Sequence, residues 1–186
     1  MNVYDFDNTI YNGDSTFDFY IFCLKKHKNI VKLFPSLAKE FAKFYILKKG
    51  SKTRFKENMY RFLQYIDTEK EVELFWKKHI HNIKEWYYIN QKNDDVIISA
   101  SPKFLLEPIC KKLGIKHLIA SNVSPVDGKY AGINCHGKEK VRRFKNEFSE
   151  SIDEFYSDTY SDTPLAEISK QAFMVKGDKI YKWKFK

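Results

Sequence analysis

The second half of the chain alternates short apolar segments with helical patterns, and this alternation constrains the fold more than any other feature. The predicted strands after residue 93 are 96–99, 117–120, 152–156, 172–175 and 180–185, and the predicted helices are 102–113, 138–148 and 164–168. A further strand is predicted at 2–6, and a β-hairpin at 122–134 around Asp127-Gly128. Strands that alternate with helices predict an α/β fold, in which a parallel sheet carries helices on both faces.

Residues 14–91 have a different pattern, because their apolar positions recur every three or four residues. The recurring positions are Leu37, Phe41, Phe44, Tyr45, Phe55, Met59, Phe62, Leu63, Val72, Phe75 and Trp76. This spacing predicts amphipathic helices, with breaks and caps at Pro35-Ser36, Gly50-Ser51 and Asp67-Thr68. The helical stretch therefore interrupts the sheet after its first strand.

The composition is that of a folded intracellular domain. The 186 residues are 43% hydrophobic and 17% aromatic, which suits one domain or a core with a modest insertion. Cys23, Cys110 and Cys135 form no CxxC pair, and such a scattered set is typical of buried thiols in a reducing compartment. No uncharged stretch approaches the roughly 18 residues of a membrane span, and early acidic residues argue against a signal peptide. We therefore expect a cytoplasmic protein.

Positive charge is concentrated in one part of the chain. The formal net charge is +9, and residues 25–56 contain 11 Lys or Arg against a single acid, Glu40. Such a stretch predicts an anionic partner or merely a solvated helix surface, and Lys52 and Arg54 within it are candidate substrate contacts. Residues 34–49 also place apolar side chains on one face, with lysines beside it. That face could lie on an anionic membrane surface or pack inside the helical segment, and packing is the favoured interpretation.

An acidic pair, Asp5 and Asp7, follows the first predicted strand. On a continuing strand, the two side chains would point to the same face. Two carboxylates this close are costly unless a cation lies between them, and Mg2+ prefers hard oxygen ligands and leaves room for a phosphate. One Asp could then attack phosphorus while the other transfers protons. The alternative is that the two are turn-forming residues after a strand.

Three later segments carry polar groups beside predicted strands. Ser99 and Ala100 lie at the end of a buried strand, Lys140 lies near the start of a helix, and Asp158 and Asp162 follow another strand. Because ligands of open parallel sheets bind at the carboxyl ends of the strands, we expect these groups to form a single site.

The order of these motifs, DxDxT, a strand-end Ser, a Lys and then DxxxD, resembles the haloacid dehalogenase (HAD) superfamily of phosphotransferases and phosphatases. The likeness is strongest to the branch of phosphoserine phosphatase. The resemblance implies a HAD-like Rossmannoid sheet formed by residues 1–12 and 92–186, with residues 13–91 inserted as a helical cap. It also implies a Mg2+-dependent phosphomonoester hydrolase with a small phosphorylated substrate.

The resemblance also implies a role for each acidic residue. Asp5 would be the nucleophile that forms an aspartyl-phosphate, and Asp7 would be the general acid and base. Mg2+ would bind the Asp5 carboxylate, the Asp7 backbone carbonyl and Asp158 directly. Asp162 would act through water.

The phosphoryl oxygens would be bound by neutral donors and one cation. Ser99 and Ala100, together with backbone N–H groups at the start of the next helix, would supply the donors. Lys140 would supply the positive charge. Lys140 is preferred over Lys138 because the residues one and four positions after it are apolar, as the family pattern requires.

Two positions depart from phosphoserine phosphatase. Asp14 stands in place of a Glu and Ser161 in place of an Asn, and both are candidate substrate contacts. Together with the large, aromatic and basic cap, they predict a substrate other than phosphoserine. One alternative function is hydrolysis of a lipid-linked or membrane-proximal phosphate. Another is a nucleic-acid-binding module with an inactive core, against which the complete set of acids argues.

Overall fold

A six-stranded sheet organises the chain. The computed structural model describes residues 1–49 and 52–185; the side chains of Phe44, Tyr45 and Lys52 lie outside that description, as does the predicted break at Gly50-Ser51. The strands are β1 (Asn2–Tyr4), β2 (Val96–Pro102), β3 (His117–Ser121), β4 (Ile152–Ser157), β5 (Ser169–Lys176) and β6 (Lys179–Lys182). Their order is β3-β2-β1-β4-β5-β6, and every neighbouring pair is parallel except β5 with β6. The predicted α/β fold is confirmed, with one antiparallel strand at its edge.

Helices cover both faces of the sheet. Successive residues of a strand point to opposite faces, so neighbouring residues of β2 pack against different helices. The helices that follow β2, β3 and β4 are α6 (Lys103–Lys112), α7 (Lys138–Glu147) and α8 (Thr163–Ala166). On one face, Leu105 of α6 shares an apolar cluster with Ile97. On the other face, Phe144 of α7 and Leu165 of α8 share a second cluster with Ile98.

The described residues between β1 and β2 form five α-helices, and the apolar spacing predicts helices in this segment. They are α1 (Ser15–Lys26), α2 (Phe34–Phe41), α3 (Lys52–Tyr60), α4 (Thr68–His79) and α5 (Glu85–Asn90), with short turns of 3-10 helix and a π-helical stretch, Ala42–Ile46. Trp76 of α4 donates a hydrogen bond to the Leu105 carbonyl at 2.7 Å, and Tyr87 of α5 contacts Tyr4 of β1 edge-on. The helical segment therefore shares one continuous apolar core with the sheet, and the division into core and cap stays a prediction.

The first strand is shorter than predicted. It ends at Tyr4, so Asp5 and Asp7 do not continue a strand. Instead, the Phe6 carbonyl accepts hydrogen bonds from the N–H groups three to five residues later, at 3.0–3.3 Å, and the chain turns there. β2, in contrast, is longer than predicted and runs past Ser99 to Pro102.

The predicted hairpin at 122–134 is much shorter than expected: the N–H of Ala131 donates to the Asn122 carbonyl and the N–H of Ser124 to the Lys129 carbonyl, both at 2.8 Å, but no strands extend from the turn. The described chain contains only one isolated bridge in this region, between Val123 and Tyr130. The loop packs on the helical segment instead of extending as a ribbon. At its tip, Gly128 has a φ of +74°, and a Cβ built there would stand 2.4 Å from the Cβ of Tyr60. A side chain at this position would therefore force the loop away from α3.

The three cysteines are buried and unpaired, as their scattered spacing predicts. Burial raises the pKa of the Cys135 thiol to about 11, which keeps it in the unreactive protonated form. Over residues 1–49 and 52–185, no helix combines the length and apolar character needed to cross a membrane.

Candidate active site

Asp5 lies directly after β1, at the carboxyl edge of the sheet. Its N–H donates to the Tyr156 carbonyl of β4 at 2.9 Å, which fixes the backbone. Its side chain is buried, and Oδ1 accepts a hydrogen bond from Lys140 at 2.8 Å. Burial raises the pKa of Asp5 to about 7; Lys140 opposes that rise, and Asp162 adds to it. The cation held against the carboxylate favours its anionic form, which burial disfavours.

Lys140 is the centre of this arrangement. It lies in the first turn of α7, which begins after Gly137, a residue with a φ of +58°. Only 2% of Lys140 is exposed, yet its Nζ donates to Asp5 at 2.8 Å and to Asp162 at 2.7 Å. Burial alone would lower the pKa of Lys140, but the two carboxylates raise it above the ordinary value. Lys138 is exposed on the same turn, so geometry singles out Lys140.

Asp158 and Asp162 approach the same point from the end of β4. The Oδ2 atom of Asp162 accepts hydrogen bonds from Lys140 and from the Ser157 hydroxyl, the latter at 2.9 Å. Its other oxygen, Oδ1, is buried and has no partner within the described residues. Burial, followed by the charge of Asp162, raises the pKa of Asp158. Both results indicate a site with more negative charge than its lysine can balance.

Asp7 is held by a separate set of donors. Its Oδ1 accepts from the N–H of Ser15 at 2.7 Å, at the start of α1, and its Oδ2 accepts a short hydrogen bond from the Ser101 hydroxyl. Ser101 in turn contacts the Thr16 hydroxyl at 2.9 Å. Burial and the neighbouring Asp14 raise the pKa of Asp7 to about 6, while the Ser101 and Ser15 hydrogen bonds oppose that rise. A carboxyl group with such a pKa can donate or accept a proton near neutral pH.

The remaining predicted site residues divide into two groups. Ser99, Ala100, Asp14 and Ser161 line the same cavity as the four aspartates. Arg54 does not, because it projects towards Glu40, 3.8 Å away, outside this cavity. The side chain of Lys52 lies outside the described residues, and the basic residue of this region that lines the cavity is Lys56.

Three residues with structural roles at the site escaped sequence analysis. Ser101 follows Ser99 by two positions on β2, so the strand period could have identified it. Ser157 immediately precedes Asp158, and its hydroxyl donates a hydrogen bond to Asp162. Lys84 gave no signal in the sequence. It is buried, and its Nζ donates to the carbonyls of Asn8 at 2.8 Å and Gly177 at 2.6 Å, tying the loop after Asp7 to the β5–β6 turn.

Most of these groups open into one cavity of about 850 Å³, which has two different sides; Arg54, Ser157 and Lys84 do not line it. We call its polar side the floor, formed mainly by Asp5, Asp7, Ser99, Lys140, Asp158 and Asp162. We call its apolar side the roof, formed mainly by Phe17, Phe34, Leu37, Phe41, Phe55 and Met59 of α1, α2 and α3. The apolar face predicted at residues 34–49 therefore contributes Leu37 and Phe41 to a cavity inside the molecule.

The floor is suited to a magnesium ion. Five carboxylates line the cavity, those of Asp5, Asp7, Asp14, Asp158 and Asp162, against two lysines, Lys56 and Lys140. Among the described residues no three acidic, His or Cys side chains already stand together as a ligand cluster. The donors are nevertheless hard oxygens, one of them buried without a partner, and a divalent cation would offset the excess negative charge.

The sequence matches the family model of the haloacid dehalogenase-like hydrolases over residues 3–167. The chain belongs to this family. The match contains both acidic motifs, the strand-end serine and Lys140, so the predicted resemblance is confirmed. The family match covers most of β1 and all of β2, β3 and β4, and the sheet continues beyond it with β5 and β6.

Two curated relatives share part of this HAD chain. A probable phosphatase of Mycobacterium tuberculosis is 32% identical over 94 residues, which are 46% of this chain and 33% of that protein. The protein CicA of Caulobacter vibrioides is 32% identical over 96 residues, 48% of this chain and 41% of that protein. The chain thus spans less than half the length of the curated relatives it matches.

Solved structures with the same fold include a protein of unknown function from Bordetella pertussis. It has a TM-score of 0.73 at 20% identity and covers 92% of this chain and 87% of its own. A structure titled as a phospho-aspartyl intermediate analogue of phosphoserine phosphatase has a TM-score of 0.53 at 18% identity, with 91% and 83% covered. At these identities the similarity concerns the fold of the HAD chain alone.

Proposed function

We propose that this protein is a Mg2+-dependent phosphomonoester hydrolase that acts through an aspartyl-phosphate on Asp5. The observation that carries the proposal is the convergence of Asp5, Asp7, Lys140 and Asp158 on the floor of one cavity. Residues 1–12 and 92–186 would form the catalytic core, and residues 13–91 the cap that supplies the roof.

In the first step, a carboxylate oxygen of Asp5 attacks phosphorus, and the bond between phosphorus and the ester oxygen breaks. Lys140 occupies Oδ1 of Asp5, and Oδ2 makes no hydrogen bond within the described chain, so Oδ2 is the proposed nucleophile. The leaving oxygen takes a proton from Asp7. Ser101 and the N–H of Ser15 hold that carboxyl group in one orientation for the transfer.

In the second step, water attacks the phosphorus of the aspartyl-phosphate, and the bond between phosphorus and Asp5 breaks. Asp7 takes a proton from the water, which restores its starting state and releases inorganic phosphate. Ser99 and the backbone at Ala100 bind phosphoryl oxygens during both steps, and Lys140 offsets their charge. Fixed charges of this kind lower the barrier because they are in place before the charge develops.

The residues that would hold Mg2+ are Asp5, the Asp7 carbonyl and Asp158, and Asp162 would contribute through water. When bound, the ion neutralises charge on the phosphoryl oxygens and orients them for in-line attack. The floor needs this contribution, because a phosphate dianion entering a cavity lined by five carboxylates and two lysines would otherwise be repelled.

The test is hydrolysis of an aryl phosphate by the purified chain, with Mg2+ and with EDTA. We expect turnover that requires Mg2+ and that Asp5→Asn abolishes, since an amide cannot form the intermediate and the change is nearly isosteric. A folded Asp5→Asn variant that hydrolyses the ester at the rate of the unchanged protein would refute the proposal.

A further inference from the structure

The roof is too large and too apolar for the phosphate alone. The cavity, about 850 Å³, lies in the upper part of the range of small-molecule sites, roughly 300–1,000 Å³. The floor already provides the groups that a phosphoryl group requires. The remaining space is enclosed by α1, α2 and α3, and it must hold whatever the phosphate is attached to.

Large apolar side chains of the roof are partly open to solvent. Phe17 is 55% exposed and Phe41 is 49% exposed, although each lines the cavity. Phe41 also contacts the ring of Phe55 across the space between α2 and α3, with 6.1 Å between centroids. Contiguous exposed apolar surface of this kind usually marks a binding site, because leaving it in water has a cost that a ligand removes.

The roof side of the cavity offers few polar side chains to the polar groups of a substrate. The three roof helices contribute the polar side chains of Thr16, Tyr20 and Lys56 to the cavity wall, against the six large apolar side chains of the roof, and Asp14 lies just before α1. Asp14 already caps α1 by accepting a hydrogen bond from the N–H of Phe17 at 2.9 Å. An amino-acid or sugar phosphate would therefore place most of its polar groups against Phe17, Phe41 and Met59, where their lost hydration is not replaced.

We propose that the substrate is a phosphomonoester whose leaving group is a bulky apolar chain, bound between α1, α2 and α3 while the phosphate lies on the floor. Roof and floor belong to the same cavity, so one molecule can occupy both. The proposal commits to a single chain that enters as a dissolved monomer. It rests on the proposed phosphatase activity and adds the chemical class of the leaving group.

The first experiment measures kcat/KM for primary n-alkyl phosphates from methyl to octyl, below their aggregation concentrations. Each methylene that is buried should raise kcat/KM about fourfold, until the chain exceeds the roof. Glycerol 3-phosphate and phosphoserine should be hydrolysed more slowly than alkyl phosphates of equal length. Equal values across the alkyl series would overturn the proposal, whereas no hydrolysis of any ester would overturn the phosphatase activity itself.

Substitutions in the roof test whether the dependence of kcat/KM on chain length arises there. Phe41→Ser and Phe17→Ser should each flatten the dependence on chain length, because a hydroxyl replaces apolar contact area. Phe185→Ser is the matched control, since Phe185 is 59% exposed and does not line the cavity. An unchanged slope in both roof variants, or an equal loss in the control, would contradict the proposed location.

Ligands that bind but cannot be hydrolysed test the proposed apolar site separately from the phosphatase reaction. Calorimetric titration with methyl-, butyl- and octylphosphonate, which contain no cleavable ester, should give Kd values that fall with chain length. Octyl phosphate in solution and the same compound held in phosphatidylcholine vesicles should then be compared as substrates. Faster hydrolysis of the dissolved form supports the single-chain cavity, and hydrolysis confined to vesicles contradicts it.

Discussion

The floor and the roof of the cavity are built in different ways. Floor groups come from β2, from the residues that follow β1 and β4 and from the first turn of α7. Four of the six are buried, and Lys140 donates hydrogen bonds to Asp5 and Asp162. Roof groups come from three helices of one segment, and several are half exposed and held by apolar contacts. In the function that we propose, the sheet would supply the groups for phosphoryl chemistry, and the helical segment would select the leaving group.

The largest effect should come from the cation of the floor. Lys140→Ala should reduce kcat about 100- to 1,000-fold, as does the loss of one preorganised donor to a developing oxyanion. Lys138→Ala is the matched control on the same helical turn, and we expect less than a threefold change because Lys138 is exposed. If the two substitutions changed aryl phosphate turnover equally, Lys140 would have no role that the exposed Lys138 lacks.

A second prediction separates the two acids that follow β4. Asp158→Asn removes the proposed direct ligand, and the Mg2+ concentration for half-maximal activity should rise by more than about 100-fold. Asp162→Asn removes a partner of Lys140 and Ser157, and the rise should be about 10- to 100-fold, as for other outer-shell groups. Mg2+ titrations of both variants provide the measurement. The reverse order would mean that the two acids have exchanged roles.

A smaller effect is expected from the residue that orients Asp7. Ser101→Ala removes the hydroxyl that donates to Asp7, a hydrogen bond that opposes the rise in the pKa of Asp7. A hydrogen bond to a charged group contributes about 1.5–3 kcal/mol, so kcat should fall at least about tenfold and the pH optimum should move upwards. Ser169→Ala, which removes a hydroxyl bound to a helix carbonyl, is the control. A pH profile that does not move would assign Ser101 a packing role only.

The smallest effect should come from Arg54, which the sequence made a candidate substrate contact. Its guanidinium lies 3.8 Å from Glu40 and does not line the cavity. Exposed ion pairs contribute about 0–1 kcal/mol, so Arg54→Ala should leave kcat/KM for alkyl phosphates within twofold. A larger loss, measured beside Phe185→Ala, would extend the roof beyond the residues assigned to it.

Much of the floor could be predicted from the sequence, because strand ends and polar residues follow local patterns. Asp5, Asp158 and Asp162 lie where the strand pattern places them, although β1 ends before the acidic motif. Lys84 could not be predicted, since it meets Asn8 and Gly177 only in the folded chain. The same holds for the roof, because helical periodicity shows an apolar face but not what the face encloses.

The hairpin at 122–134 illustrates the same limit of local patterns. Its Asp127-Gly128 turn is local and forms, but a hairpin also needs paired strands on either side of the turn. Contact with Tyr60 holds the loop against α3, and that contact joins residues far apart in the sequence. Turn chemistry therefore predicted the bend and the antiparallel pairing beside it, but not how short that pairing is.

The central claim of this account is that the phosphoryl group passes through Asp5. The most direct measurement is an acid quench of the wild-type protein during steady-state turnover of a phosphomonoester, followed by peptide mass spectrometry. We predict a phosphoryl adduct on the peptide that contains Asp5, located on Asp5 by fragmentation and absent from Asp5→Asn. An adduct on another residue, or full turnover with no adduct in the quenched protein, would contradict the account.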